Sequence, residues 1–296
     1  MKSIATCYSE HAIKISDSYC SGPKPSLSQN LIPSVQNSVT SLYKSRIIQN
    51  EDDDQIISTS LTWTNNLIGR GFNVQIVYKS ITSSDQLRKS KGSKNIMLQP
   101  GSRIEVKWDL SNADYDNGPE PTSNFYVTVS LNSNTILLLG DYEEHSMSPG
   151  YATFSLISRT ESFSGCGVYS TKAQFCSAGK THDIMIKCGR EEDGLKVKDP
   201  ILTVSVDRRK VVIVKKLQWN FRGNQCIFVD GIVVDMMWDV HDWLFNPVSG
   251  NGLFLFRSRS GFDSRLWLEK EKSCKEKEED KVEFSLLVTA CTRHPH

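Results

Sequence analysis

Residues 72–110, FNVQIVYKSITSSDQLRKSKGSKNIMLQPGSRIEVKWDL, and residues 202–240, LTVSVDRRKVVIVKKLQWNFRGNQCIFVDGIVVDMMWDV, align without a gap at a spacing of 130. Phe72, Val74 and Ile76 fall on Leu202, Val204 and Val206, and Leu87, Gly101, Ile104 and Leu110 fall on Leu217, Gly231, Val234 and Val240. Trp108-Asp109 falls on Trp238-Asp239. The apolar positions recur at a period of two in both stretches, which is the spacing of a strand with one buried face. The alignment therefore predicts two tandem repeated β modules, each ending in the same Trp-Asp corner.

Outward from these stretches, runs rich in Val, Ile, Thr, Phe and Tyr alternate with Gly, Asn, Asp and Pro from Val35 to Thr289, the signature of many short strands and little helix. Asp230-Gly231 sits where a type I′ turn demands positive φ, and Asp207-Arg208 and Asn132-Ser133 stand in similar positions. Consecutive hairpins pair antiparallel, so the expected fold class is all-β: an antiparallel sandwich or flattened barrel built from the two modules. The first module spans 33–145 and the second 151–291, joined by a hinge at 146–150. Residues 83–93 and 189–200 read as polar loops, and a strand near 282–289 returns to an edge. The block 269–281, with five lysines and six acids, reads as a solvated insertion, and 1–32 as a flexible Ser-rich tail. One continuous core is expected, because a shared interface buries more apolar surface than two separate modules.

Composition narrows the function classes. Lysine and arginine number 35 against 34 acids in 296 residues, so no global field draws the chain to nucleic acid or anionic lipid. No run approaches the eighteen apolar residues that a membrane-spanning helix needs. The eight cysteines lack CxxC pairs and disulfide-like spacings, no Asn-x-Ser/Thr sequon occurs, and the N-terminus has no apolar signal core. An intracellular, soluble, cytoplasmic or nuclear protein with reduced thiols is expected. Eleven serines and only two acids in the first 48 residues are shared with chloroplast transit peptides, the minority reading.

The densest chemical cluster is Trp238-Asp239-Val240-His241-Asp242-Trp243. Two carboxylates beside a histidine could tune it as an acid or base, and with His182 they could form a hydrolase or metal site. A structural reading competes: the Trp-Asp pair recurs at Trp108-Asp109, where the histidine does not. It predicts tryptophan filling the core and aspartate accepting backbone N–H bonds at the turn. The basic segments 88–94, 208–210 and 215–216, with Trp219 and Phe221 nearby, could form a single-stranded nucleic-acid platform, but surrounding acids cancel their charge and a solvated strand face explains the lysines. The ligand- or partner-binding candidates are His182, Arg222, Asp239, His241, Asp242 and Trp243. No phosphate loop, nucleophile elbow or His-Glu-x-x-His motif is present, so no catalytic residue, metal ligand set or cofactor is assigned.

The stretches 108–141, 182–188, 199–225 and 229–245, among them HDIMIKC and VDGIVVDMMWDVHDWLF, resemble the plant domain-of-unknown-function 868 family from about Pro33 to Thr289. The resemblance implies a plant origin and supplies no activity, substrate or catalytic residues. The chain departs from the family pattern at Thr82 to Leu87, which lacks tryptophan, and at the acidic Glu51 to Asp54. The residues themselves favour a non-enzymatic binding or scaffold protein with a protein partner. Two other readings stand beside it: a carrier of a small apolar ligand in a barrel or inter-module cavity, and a hydrolase or metal enzyme using His182, Asp239, His241 and Asp242.

Overall fold

A computed structural model describes residues 34–48, 54–66, 69–79, 81–99, 102–141, 153–165, 167–176, 179–193, 196–246, 250–259 and 283–291. The tail 1–32, the hinge 146–150 and the charged block 269–281 lie outside the described residues.

Nineteen strands and one short helix make up the described residues. The first ten strands are β1 (Val35–Ile48), β2 (Asp54–Asn66), β3 (Gly69–Tyr78), β4 (Ile81–Leu87), β5 (Lys91–Gln99), β6 (Ser102–Asp109), β7 (Asp114–Tyr115), β8 (Pro121–Ser123), β9 (Tyr126–Leu131) and β10 (Asn134–Gly140). The next seven are β11 (Thr153–Ser164), β12 (Val168–Ala173), β13 (His182–Asp193), β14 (Lys196–Val206), β15 (Arg209–Val214), β16 (Arg222–Val229) and β17 (Ile232–Asp239). Helix α1 (His241–Phe245) follows, then β18 (Asn251–Ser258) and β19 (Ser285–Cys291).

Nine strands form one sheet in the order β16-β17-β18-β19-β11-β1-β2-β3-β4. Two four-stranded sheets, β10-β9-β6-β5 and β12-β13-β14-β15, and the ribbon β7-β8 complete the fold. Pairing is antiparallel except between β11 and β19. The sheets remain open at their edges, so the flattened barrel is set aside in favour of sandwich packing. The last strand is not an edge either. β19 lies between β18 and β11, and Leu286, Val288 and Ala290 are fully buried.

The tight turns carry their expected backbone. Asn132-Ser133, Asp207-Arg208 and Asp230-Gly231 all have positive φ at both central residues, the type I′ geometry whose twist matches the flanking strands. Strands β4 and β5 correct the expected loop over 83–93. ITSSDQL places small polar side chains on its outward face, so it reads as coil although Ile81, Ser83, Asp85 and Leu87 face inward together. Residues 189–200 likewise extend the β13–β14 hairpin rather than leaving it as a loop.

The expected single core is divided into two. One cluster fills the space between β1–β4 and the β5, β6, β9, β10 sheet, centred on Ile57, Leu61, Ile76, Ile104 and Val129. The other fills the space between β16–β19 and the β12–β15 sheet, centred on Ile184, Val204, Val234, Phe256 and Val288. Cross-strand partners share a face, and Val39 lies opposite both Glu161 and Trp63. Both clusters therefore lie on the same face of the nine-stranded sheet, where β1 and β11 form a seam between them.

A buried charged network shares that seam with Val39. Arg159 Nε donates to Glu161 Oε1 at 2.5 Å, and Arg159 Nη2 donates to Glu120 Oε2 at 2.6 Å. Gln36 Nε2 donates to the other Glu161 oxygen at 2.8 Å. A register shift between Gln36 and Ser38 swings Gln36 onto this face, and Glu161 has no exposed surface. Burial, aided by Glu120, pushes the neighbouring Tyr43 phenol up to about 12.

Candidate functional site

The two aligned stretches cross between sheets in opposite senses. Strands β3 and β4 belong to the nine-stranded sheet and β5 and β6 to a four-stranded one, whereas β14 and β15 belong to a four-stranded sheet and β16 and β17 to the nine-stranded one. Their corners are nevertheless alike atom by atom. Trp108 Nε1 donates to Lys89 O and Trp238 Nε1 to Asn220 O, each at 2.9 Å. Each indole lies over a cross-strand glycine, Gly92 or Gly223, where any Cβ would collide with the ring. Asp109 Oδ1 accepts the Ser111 N–H, and Asp239 Oδ1 accepts the His241 N–H. The second oxygen pairs with Lys91 at 2.7 Å in one corner and with Arg222 at 2.8 Å in the other. Lys91 and the Ser111 amide lower the Asp109 carboxyl to about 2. Desolvation opposes the charge on Asp239, but the His241 amide and Arg222 outweigh it and hold that carboxyl below its usual range.

The corners differ in what surrounds them. In the first stretch Lys94 on β5 bridges to Asp85 on β4 and closes the sandwich edge. In the second, the edge between β15 and β16 opens into a cleft of about 660 Å³, lined by Lys215, Asn220, Arg222, Asn224, Gln225 and Trp238 among others. Trp108 is 5% exposed and part of its core, whereas Trp238 is only partly buried and borders the cleft, which corrects the expectation that it plugs the core fully.

Beside the cleft, residues 215–220 turn tightly where the sequence reads as a continuing strand. Trp219 N–H and Asn220 N–H both donate to Lys216 O, and Asn220 Nδ2 donates to Lys215 O at 2.9 Å. This knitted turn presents Trp219 at 81% exposure. Ile213 on β15 and Phe228 on β16 are also largely exposed, each on the outer face of its own sheet between buried neighbours. His241 Nδ1–H donates to Asp242 Oδ1 at 2.8 Å, and the ring packs edge-on against Phe221. Trp243 packs against the second core, and its indole nitrogen is buried with no hydrogen-bond partner among the described residues.

His182 lies elsewhere. Its Nδ1 meets Asp207 Oδ2 at 2.7 Å and its Nε2 meets Asp230 Oδ2 at 2.9 Å. Asp207 and Asp230 are the first residues of two hairpin turns, one in each sheet around the second core, so the imidazole clasps the sheets together. Asp230 and Asp239 stand at opposite ends of β17, on the order of 25 Å apart at the rise of a strand. His182 thus does not meet Asp239, His241 or Asp242, and the convergence that a hydrolase or metal centre needs is not formed. Among the described residues no three His, Cys, Asp or Glu side chains are grouped to hold a metal ion. The space next to His182 has no room for even a water-sized group, and the cleft is open to solvent with a lining of mixed polarity, so neither is the enclosed apolar cavity that a carrier needs.

Burial opposes a charge on His182, but its bonds to Asp207 and Asp230 prevail and raise its pKa. A group raised in the folded state stabilises fully below its unfolded pKa, and that stability is lost as pH rises through the folded value. The thermal advantage of wild type over His182→Gln is therefore expected to be full below the ordinary histidine pKa of about 6.5 and to shrink as pH rises above it. A difference independent of pH across thermal melts would assign His182 to packing alone.

Sequence reasoning missed the Arg159–Glu161–Glu120 network and noted Trp219 only as an aromatic beside basic residues, not as the outward tip of a turn. The first had a signal: in Arg159-Thr160-Glu161-Ser162-Phe163 opposite charges alternate onto the same face as a core phenylalanine. Among the described residues, Cys176, Cys188, Cys226 and Cys291 are free thiols, and burial pushes Cys188 up to about 12. Among the described residues no helix is long and apolar enough to cross a membrane.

Comparison with known proteins places residues 34–292 in the family described as plant protein of unknown function (DUF868). No curated protein and no solved structure matches the chain.

Proposed function

For a chain that belongs to the DUF868 family of plant proteins, we propose a non-enzymatic intracellular binding or scaffold role, with a protein partner engaged at the β15–β16 edge. The observation that carries this reading is Trp219, held outward by a hydrogen-bonded turn beside an open cleft. Tryptophan and arginine are enriched among the residues that carry most of the energy of protein interfaces, and Arg222 lines this cleft. The four free thiols support an intracellular setting. Descent of both aligned stretches from one duplicated unit is part of the same proposal, supported by their matched corners. In that history the first corner kept a closed edge and the second became the binding edge.

A photo-reactive amino acid at position 219, with position 97 on β5 as an exposed control, tests the surface in plant extract. Discrete adducts from position 219, absent from position 97, are expected. Equal adducts from both positions, or none from either, would remove the reading. Catalytic turnover abolished by His241→Ala in a folded protein would remove its non-enzymatic part.

A further inference from the structure

We infer that β16 receives an extended, acid-bearing segment of the partner as a tenth strand of the large sheet. The inference rests on the proposed binding edge and specifies how that edge is used. The two-residue turn at Asp230-Gly231 makes Val229 and Ile232 a hydrogen-bonded pair, so every second pair along the hairpin is bonded. The Val240 N–H donating to Phe221 O at 2.8 Å continues that series. The N–H and C=O groups of Arg222, Asn224, Cys226 and Phe228 consequently point away from β17, toward the side where β16 has no neighbour among the described residues.

Edge strands are usually blunted by bulges or by charges, and β16 has few of these devices. Its register with β17 is unbroken, and from Gly223 to Val229 it carries no charge. β15, by contrast, has a register shift and two basic residues, β5 carries Lys91 and Lys94, and Asp85 on β4 is tied to Lys94. An added strand crosses the mouth of the cleft, and its alternate side chains point in toward Lys215 and Trp238. No carboxylate lines the cleft, and the exposed Lys210, Lys215 and Lys216 form no ion pair among the described residues. Acidic residues at alternate positions complement that charge. The outward positions lie beside Arg222, Asn224, Cys226 and Phe228, of which only Phe228 suits an apolar side chain.

The test selects displayed dodecapeptides on the full chain and resynthesises the best binder with N-methyl groups at alternate residues, in each of the two registers. Asp and Glu enrichment at every second position is expected. One N-methyl register should weaken binding about tenfold or more and the other should leave it nearly unchanged, because a strand offers only alternate N–H groups to its neighbour. Cys226→Pro, which removes an outward N–H without a ladder bond, should reproduce that loss, and Lys215→Glu should reverse the acid preference. Binders indifferent to both methylation registers, or selected without acidic enrichment, overturn the inference. The methylated peptides decide this even where the proline variant does not fold. Persistent adducts at position 219 alongside such a result would leave the protein-partner reading standing and remove only the added strand.

Discussion

Arg159→Ala is expected to lower the folding free energy by about 3–5 kcal/mol, because it leaves the Glu161 carboxylate buried without its cation. The loss arises from desolvation. Glu161 has no exposed surface, and Gln36 satisfies only one of its oxygens. Replacing both charges, as Arg159→Met with Glu161→Leu, should recover most of that stability, since a buried ion pair seldom exceeds apolar packing of similar volume. Urea denaturation of wild type, the single variant and the double variant measures this. A single-variant loss within about 0.5 kcal/mol would mean that water reaches the seam.

The second large effect concerns the two indoles. Trp108→Ala should cost about 3–5 kcal/mol, because it empties a core position and frees the Lys89 carbonyl. Trp238→Ala should cost less, about 1–3 kcal/mol, because part of that ring already faces the cleft. Equal losses in chemical denaturation would show that the second indole is as deeply packed as the first. The binding role assigned to the cleft would then lose its floor.

The legible parts of the fold were those where local pattern and tertiary environment agree. β1 begins at Val35, where the strand-like runs begin, and the Asp-Gly turn is a type I′ turn as its chemistry demands. β4 and β5 were illegible because an edge strand buries one face and keeps serines, lysines and glutamines on the other, so hydroxyl-rich pairing looks like coil. Among the candidate residues, Asp239, His241, Asp242 and Trp243 are neighbours in sequence and remain so in space, and the β16–β17 hairpin brings Arg222 to Asp239. His182 is the exception. Its partners Asp207 and Asp230 come from two hairpin turns 25 and 48 residues away, a meeting that no local spacing announces.

By itself the sequence determined the strand period, the hairpin turns and the family, because alternation and positive-φ turn chemistry act over a few residues. Only tertiary structure decided that β19 lies between two halves of one sheet, that a buried ion pair divides the core, and that one Trp-Asp corner is closed by Lys94 and Asp85 while the other is left open. Those outcomes depend on which distant strands lie side by side. Sheet pairing is set by long-range burial rather than by neighbours along the chain, so the same local corner stands at a sealed edge once and at an exposed one the second time.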